Sequence, residues 1–431
     1  MTIVERGRAF LQGLRGLAGR TVWEWRRCPH CGETETSKWG SYTRRPWFLS
    51  GRAEVRVPRH RCSGCGRTYS EQSALLVRGG WYAREVRRSA IDHWQHLGAS
   101  TRRTAEVLRS WLGRQERWQV WRPLDPAPSD ATVCHLSAST VERWLDQAGQ
   151  AARAGVAEQL VGVESSGHMA TDGLWARLRG GTTRVVLALV DTVTGVVWPP
   201  VVVAGEGAAA AWETLFERAE QAGLVLRELR GLASDGATGL ESYRRRALPW
   251  VSHQRCVFHL WRGLSGALTA AVATAVAATE LVGAAARRVA TQTRRTLIDL
   301  VRGVYDATTE AEVQAALARL AAHELGQALA DLVAVHLEAA RVYRCGYNQG
   351  LGRASPEWLW RDFRLRSSHG RNHGAEQRLE RAALLWASYH TFQPAQDRSE
   401  RKRTYRHPGQ PPLALAGLPP GDISYLDALA V

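Results

Sequence analysis

Two cysteine pairs constrain the front of this chain more tightly than any other feature: Cys28-Pro-His-Cys31-Gly and, 30 residues further on, Cys62-Ser-Gly-Cys65-Gly. Two residues between paired cysteines let both thiolates on one tight knuckle reach the same ion, and the glycine that follows permits the turn. Four thiolates close a tetrahedral site. The segment between the pairs alternates, as in Ala53-Glu54-Val55-Arg56-Val57, which suits short strands. Residues 1–80 therefore read as a zinc ribbon, with structural Zn²⁺ on Cys28, Cys31, Cys62 and Cys65 and with His30 and His60 as spectators. An isolated pair of this spacing can be redox-active, but two pairs bracketing a strand-rich segment favour the metal.

At 431 residues the chain exceeds the size at which one core normally keeps growing, so two or three domains are expected. Its net charge of +16 favours a polyanionic partner, most simply double-stranded DNA. The charge is unevenly placed: residues 1–122 hold 24 Lys and Arg against 10 Asp and Glu, which is +14 of the +16. No run of 18 or more uncharged apolar residues marks a membrane span, the alanine-rich stretch Ser265 to Ala278 being too short. The opening MTIVERGRAF lacks the apolar core of a signal peptide, so a cytoplasmic, nucleoid-associated location is expected, where an odd count of seven cysteines suits metal binding better than disulfides.

Residues 81–155 read as a helix-turn-helix-like DNA-binding region. Glu85 to His96 is amphipathic and Gly98 stops it; Ser100 caps a second helix from Thr101 with Ala105, Leu108 and Leu112 on its apolar face. A third helix is expected from Ser139 as N-cap, with Glu142 completing a capping box. In this reading Ser139 and Arg143, near the helix N-terminus, meet DNA.

From residue 156 the period changes. Met169 to Leu178, Arg184 to Asp191 and Val196 to Val203 read as strands, followed by helix Ala208 to Ala222, strand Leu229 to Ser234, helix Ala237 to Ala247 and strand Trp250 to Cys256. Three meandering strands followed by alternating helix and strand is the α/β order of a ribonuclease H-like sheet, although period alone does not separate it from other α/β sheets. An all-helical insertion is expected at about 264–365 within a catalytic domain of 156–395, and a basic C-terminal tail at 396–431 carries Arg398, Arg401, Lys402, Arg403 and Arg406.

Asp172 lies inside the first of these strands, a costly place for a carboxylate unless a cation compensates it. Asp235 ends the fourth strand, at the carboxyl edge where open α/β sheets place ligands. Two-metal phosphoryl transfer needs such hard oxygen donors, and a third carboxylate on a neighbouring helix, Glu376, completes the set for two Mg²⁺ or Mn²⁺ ions. Glu164, Asp191, Glu206 and Glu380 are competitors; Asp191 is better explained by a hairpin turn, and Glu380 lies one helical turn from Glu376.

The stretches Thr171-Asp172-Gly173, Ser234-Asp235-Gly236, His253-Gln254-Arg255-Cys256-Val257-Phe258-His259 and Asn372-His373-Gly374-Ala375-Glu376 together resemble the DDE transposases of the Mutator-like group and its bacterial insertion-sequence relatives. The resemblance implies a Cys-x-x-His motif about twenty residues after the second aspartate, here Cys256 and His259, and a helical insertion before the glutamate, here within the 141 residues from Asp235 to Glu376. It implies cutting at terminal inverted repeats and joining a 3′-hydroxyl to target DNA with Mg²⁺ or Mn²⁺, by a homodimer or larger assembly. Packing or DNA positioning is the expected role of Cys256 and His259, and a phosphate contact that of Arg255. A domesticated DNA-binding regulator and a metal-dependent nuclease of the same fold are the alternatives.

Overall fold

The computed structural model describes residues 27–70, 75–77, 79–119, 134–352, 360, 363–364, 374–394, 409–421 and 423–429. The chain divides into two compact units, Met1–Gln147 and Ala148–Ala430.

In the first unit, β1 (Thr36–Arg44), β4 (Val55–Cys62) and β5 (Thr68–Ser70) form an antiparallel sheet in the order β1-β4-β5, while β2 (Trp47–Phe48) and β3 (Gly51–Arg52) make a small hairpin between them in sequence. The register Thr36↔Cys62 fixes the second cysteine pair at the end of β4. Three helices follow: α1 (Arg84–Leu97), α2 (Thr101–Gln119) and α3 (Ala138–Gln159), the last running past the unit boundary. Gly98 adopts a left-handed conformation and its N–H returns to the Trp94 carbonyl, ending α1 where the sequence places the stop. Ser100 Oγ accepts the Arg103 amide at 3.2 Å, starting α2. The expected apolar face of α2 is present: Ala105, Leu108 and Leu112 pack with Val86, Ala90, Leu136 and Val141.

One local expectation is corrected. The cap of α3 is Ser137, whose Oγ accepts the Thr140 amide at 3.2 Å, and not Ser139, which hydrogen-bonds the Ser137 hydroxyl at 2.8 Å. Both serines are competent caps, and burial decides between them. Leu136 and Val141 are fully buried in the helical core, so the chain must already be turning at Ser137.

The second unit is mixed α/β. Its sheet has the order β10-β9-β6-β7-β8, built from β6 (His168–Arg177), β7 (Thr183–Asp191), β8 (Val197–Val203), β9 (Gly231–Ser234) and β10 (Ser252–Arg255). The first three strands form the expected antiparallel meander, and β9 and β10 add in parallel. A parallel pair cannot be joined by a tight turn. The helices α4 (Ala209–Gln221) and α5 (Thr238–Ala247) make the crossovers. On one face of the sheet Ala170, Leu174, Val186, Ala188 and Val190 alternate with residues of the other face and pack against Leu379, Ala383 and Trp386 of α11 (Glu376–Phe392).

Between β10 and α11 lies a helical lobe with its own core: α6 (Val257–Gly263), α7 (Ser265–Ala277), α8 (Gly283–Asp306), α9 (Glu310–Ala322) and α10 (Gln327–Ala340). Thr309 and Glu312 make a reciprocal capping box at α9. The lobe returns to the sheet through buried Gln254, whose Oε1 accepts the Tyr343 amide at 2.7 Å and whose Nε2 donates to the Gly352 carbonyl at 2.9 Å. Among the described residues no single helix is long and apolar enough to cross a membrane. The tail arginines and Lys402 lie outside the described residues; beyond them α12 (Pro412–Leu415) and α13 (Tyr425–Ala428) bury Leu413, Tyr425 and Leu426, and Tyr389 of α11 meets Tyr425 edge-on.

Asp191 is the hinge of the meander. Only 1% exposed, its carboxylate accepts the Val193, Thr194 and Ser166 amides and the Ser166 hydroxyl at 2.7–3.0 Å. Asp191→Ala leaves those donors buried and unmatched, and it is expected to cost about 2–4 kcal/mol in urea denaturation. Asp191→Asn, which keeps an acceptor oxygen, is expected to cost less.

Candidate active site and metal centres

The parallel register of β6 on β9 pairs Met169 with Leu232 and Ala170 with Ala233. Two residues further along each strand stand Asp172 and Asp235, so the pairing itself brings the two aspartates side by side. Asp172 is 3% exposed and one of its carboxylate oxygens accepts the Gly173 amide at 2.9 Å. Asp235 sits in the turn after β9, where its Oδ1 accepts the Ala237 amide at 3.0 Å. Gly236 takes a left-handed conformation (φ 80°), and the Arg255 guanidinium lies against its Cα, where any side chain would collide.

The turn carrying Asp235 is held from below. Ser234 Oγ accepts the Gly236 amide at 3.0 Å and lies 2.8 Å from His253 Nε2; His253 Nδ1 lies 2.7 Å from Glu241 Oε1. Burial pushes the His253 imidazole down to about 4, against the opposing pull of Glu241, so it is neutral at physiological pH. His253 Nε2 and the Ser234 hydroxyl share a hydrogen bond, and the Ser234 oxygen also accepts the Gly236 amide, whereas Glu241 Oε1 approaches Nδ1 without forming a hydrogen bond. This is the arrangement of a serine–histidine–acid triad, but Ser234 is fully buried and its oxygen is occupied. It positions Asp235 and attacks nothing. The sequence reading quoted His253 only as part of a motif and missed Glu241 altogether.

His259 completes the cluster. It lies on α6, which begins directly after β10, and its ligand atom falls within 4.8 Å of those of Asp172 and Asp235. Its Nδ1 is buried without a hydrogen-bond partner. Two carboxylates and an imidazole with an orphaned nitrogen fit a divalent cation, and the imidazole moves the preference from Mg²⁺ towards Mn²⁺ or a later transition metal. Cys256 is fully buried at the start of α6, with its amide donating to the Ser234 carbonyl at 2.6 Å, and it is not one of the clustered donors. The spacing of Cys256 and His259, one helical turn apart after a strand that neighbours β9, was the available signal for placing His259 here.

Glu376 is not brought into this group. It is the first residue of α11, half-exposed, and accepts a 2.5 Å hydrogen bond from Arg184 Nε. Arg184 pairs with Ala176 on β6, whereas Asp172 pairs with Ala188, so the Cα of Arg184 is four residues along β7, about 13 Å at the usual strand rise. Its rival Glu380 is held by Arg218 at 2.6 Å and Arg153 at 3.7 Å. Glu206, after β8, comes nearer: its carboxylate abuts the Cα of Gly173 and accepts the Trp175 indole N–H at 2.9 Å, and burial chiefly, with Asp235 adding, raises its pKa.

In the first unit Cys28, Cys31, Cys62 and Cys65 bring their sulfurs within 4.8 Å of one another. Gly32 and Gly66, which follow the two knuckles, both have positive φ, and the Gly32 and Gly66 amides donate to the Cys28 and Cys62 carbonyls. Within the cluster burial disfavours the Cys28 thiolate but the His30 and Cys31 amides and neighbouring thiols lower it to about 7, while the same thiols push Cys31 up, so the four share their protons unequally. His60 stacks on Tyr69 and neither it nor His30 joins the cluster. The donor set is compatible with a structural zinc. Ser139 and Arg143 are both exposed on the opening turns of α3, where the Arg143 guanidinium reaches Thr140 Oγ1 at 3.5 Å.

Residues 167–279 match the family model described as Transposase, Mutator family. No curated protein matches the chain. The matched segment contains β6 to α7 and with them Asp172, Asp235 and the Cys256–His259 pair. The resemblance to Mutator-like transposases carried by the sequence motifs therefore holds for the segment that builds this site, and it supports a transposase.

Proposed function

We propose that the protein is an insertion-sequence DNA transposase whose second unit is a ribonuclease H-like catalytic domain and whose first unit, a zinc ribbon with a helix-turn-helix-like region, reads the element's ends. The observation that carries this reading is the convergence of Asp172, Asp235 and His259 inside the segment that matches the Mutator family. The order of strands and helices in the sheet supports the fold, and the +14 of residues 1–122 supports end recognition by the first unit.

Asp172, Asp235 and His259 would hold a divalent cation. Such an ion would supply activation of an attacking water or 3′-hydroxyl and stabilisation of the leaving oxygen. The Glu241–His253–Ser234 relay keeps Asp235 aimed at the site, and Arg255, packed against Gly236, faces a strand phosphate. Glu376, held by Arg184 at the start of α11, is the proposed third carboxylate. The protein acts on element ends and target DNA as a homodimer or larger assembly.

Asp172→Asn, Asp235→Asn and Glu376→Gln are each expected to abolish Mn²⁺-dependent cleavage and strand transfer of end-bearing DNA while binding persists. A variant that cleaves at the wild-type rate removes its residue from the site, and cleavage without any joined product points to a nuclease. His259→Ala is expected to weaken Mn²⁺ binding by roughly tenfold or more in calorimetry. Cys28→Ser is expected to drop bound zinc from one ion per chain to none and to weaken end binding; a wild-type protein free of zinc overturns the ribbon.

A further inference from the structure

The first unit holds an open cavity of about 740 Å³, within the range of small-ligand sites. Its walls are of two kinds. Trp81, Tyr82 and Trp144 supply aromatic surface, Arg52, Arg87 and Arg143 supply guanidinium groups, and none of the described residues lining it is acidic.

The aromatic wall is held in place. Tyr82 stands edge-on to Trp144, with ring centroids 5.3 Å apart, and Trp144 is 9% exposed. Trp81 differs: its backbone carbonyl accepts the Trp47 amide at 2.8 Å, yet its indole is 73% exposed. Trp81 thus offers an accessible ring at the cavity's rim on a backbone fixed by the Trp47 hydrogen bond, beside the cationic side chains of the same cavity. The cationic wall carries a similar deficit. Arg87 Nε is buried with no hydrogen-bond partner, and burial together with neighbouring Arg84 disfavours its charge. An anion in the cavity would relieve both. Arg52 spends one N–H on the Arg45 carbonyl and Arg143 one on Thr140, out of five in each guanidinium.

A ligand that satisfies both walls is flat, aromatic and anionic. We propose that this cavity binds a single nucleotide, with its base stacked on Trp81 and its phosphate facing Arg87 and Arg143. The same chemistry comes from two sources, a nucleotide extruded from a DNA strand or a free mononucleotide. Arg143 favours the first, because it also lies on the exposed opening turns of α3 assigned to DNA; that preference rests on the DNA-binding reading above.

The test uses the full chain and 2-aminopurine, whose fluorescence is quenched when it stacks on an indole. One arm is a duplex with 2-aminopurine opposite an abasic site, which is cheap to extrude; the other is free 2-aminopurine deoxyribonucleoside monophosphate. Quenching by the wild-type protein, with affinity reduced roughly 5- to 100-fold in Trp81→Ala, is the expected result in the duplex arm. Trp81 is exposed, so this variant should keep the wild-type melting curve, and Arg143→Gln should weaken binding in the same arm. Quenching that depends on Trp81 only with the monophosphate assigns the cavity to a free nucleotide. No quenching in either arm, or quenching and affinity unchanged in Trp81→Ala, overturns the proposal. An ordinary fluorescein-labelled duplex separates this from the DNA reading: its failure to bind wild-type protein sinks that reading, while the monophosphate arm still tests the cavity.

Discussion

The second unit depends on the parallel pairing of β6 with β9, because that register sets two carboxyl groups next to each other. Asp172 is almost completely buried, and the strand that joins it delivers a second carboxylate rather than a counter-charge. Two adjacent carboxylates are a donor pair suited to a divalent cation. Three contacts fix the elements that carry them. The hydrogen bonds of the Asp191 turn fix the meander, Gln254 ties β10 to the helical lobe, and the neutral His253 relay holds the Asp235 turn from beneath.

Burial also separates residues that position from residues that act. Ser234 and His253 have the geometry of a nucleophile and its base, but the Gly236 amide already uses the serine oxygen and no solvent reaches it. His259, by contrast, has a buried nitrogen with no partner, aimed from a helix that starts where β10 ends. His259 Nδ1 and Glu241 Oε1 are both buried without hydrogen-bond partners, but only His259 belongs to the cluster with the two aspartates. Glu376 lies between these cases: its charge is satisfied by Arg184, at an ion pair exposed enough to be exchanged.

Local patterns were readable in the sequence and long-range ones were not. The cysteine spacing, the Gly98 stop, the apolar face Ala105–Leu108–Leu112, and the strand that ends at Asp235 all depend on neighbours within a few residues, and each is found where the period places it. The cap of α3 was misplaced by two residues because Ser137 and Ser139 are chemically equal, and only tertiary burial of Leu136 and Val141 chooses between them. His259 and Glu376 differ for the same reason. Both were read from motifs, but which of them reaches the aspartates depends on where the helical lobe and α11 meet the sheet, a matter of packing across more than a hundred residues that periodicity does not encode.

The division of charge follows the same logic as the division of donors. Residues 1–122 carry +14, so the remaining 309 residues carry only +2 despite holding most of the chain. Attraction to a polyanion through counterion release scales with the number of phosphates neutralised, so the front of the chain is the part best charged for such a partner. Residues 148–431 hold 32 Lys and Arg against 27 Asp and Glu, a net +5, and several of their arginines are in ion pairs: Arg184 with Glu376, Arg218 and Arg153 with Glu380, Arg246 with Glu213. The candidate metal donors divide in parallel, with soft thiolates in the first unit and hard carboxylates with one imidazole in the second, donor sets that suit different ions. Charge and ligand chemistry are thus divided along the chain, with the thiolates in its basic front and the carboxylates and imidazole in the segment that follows.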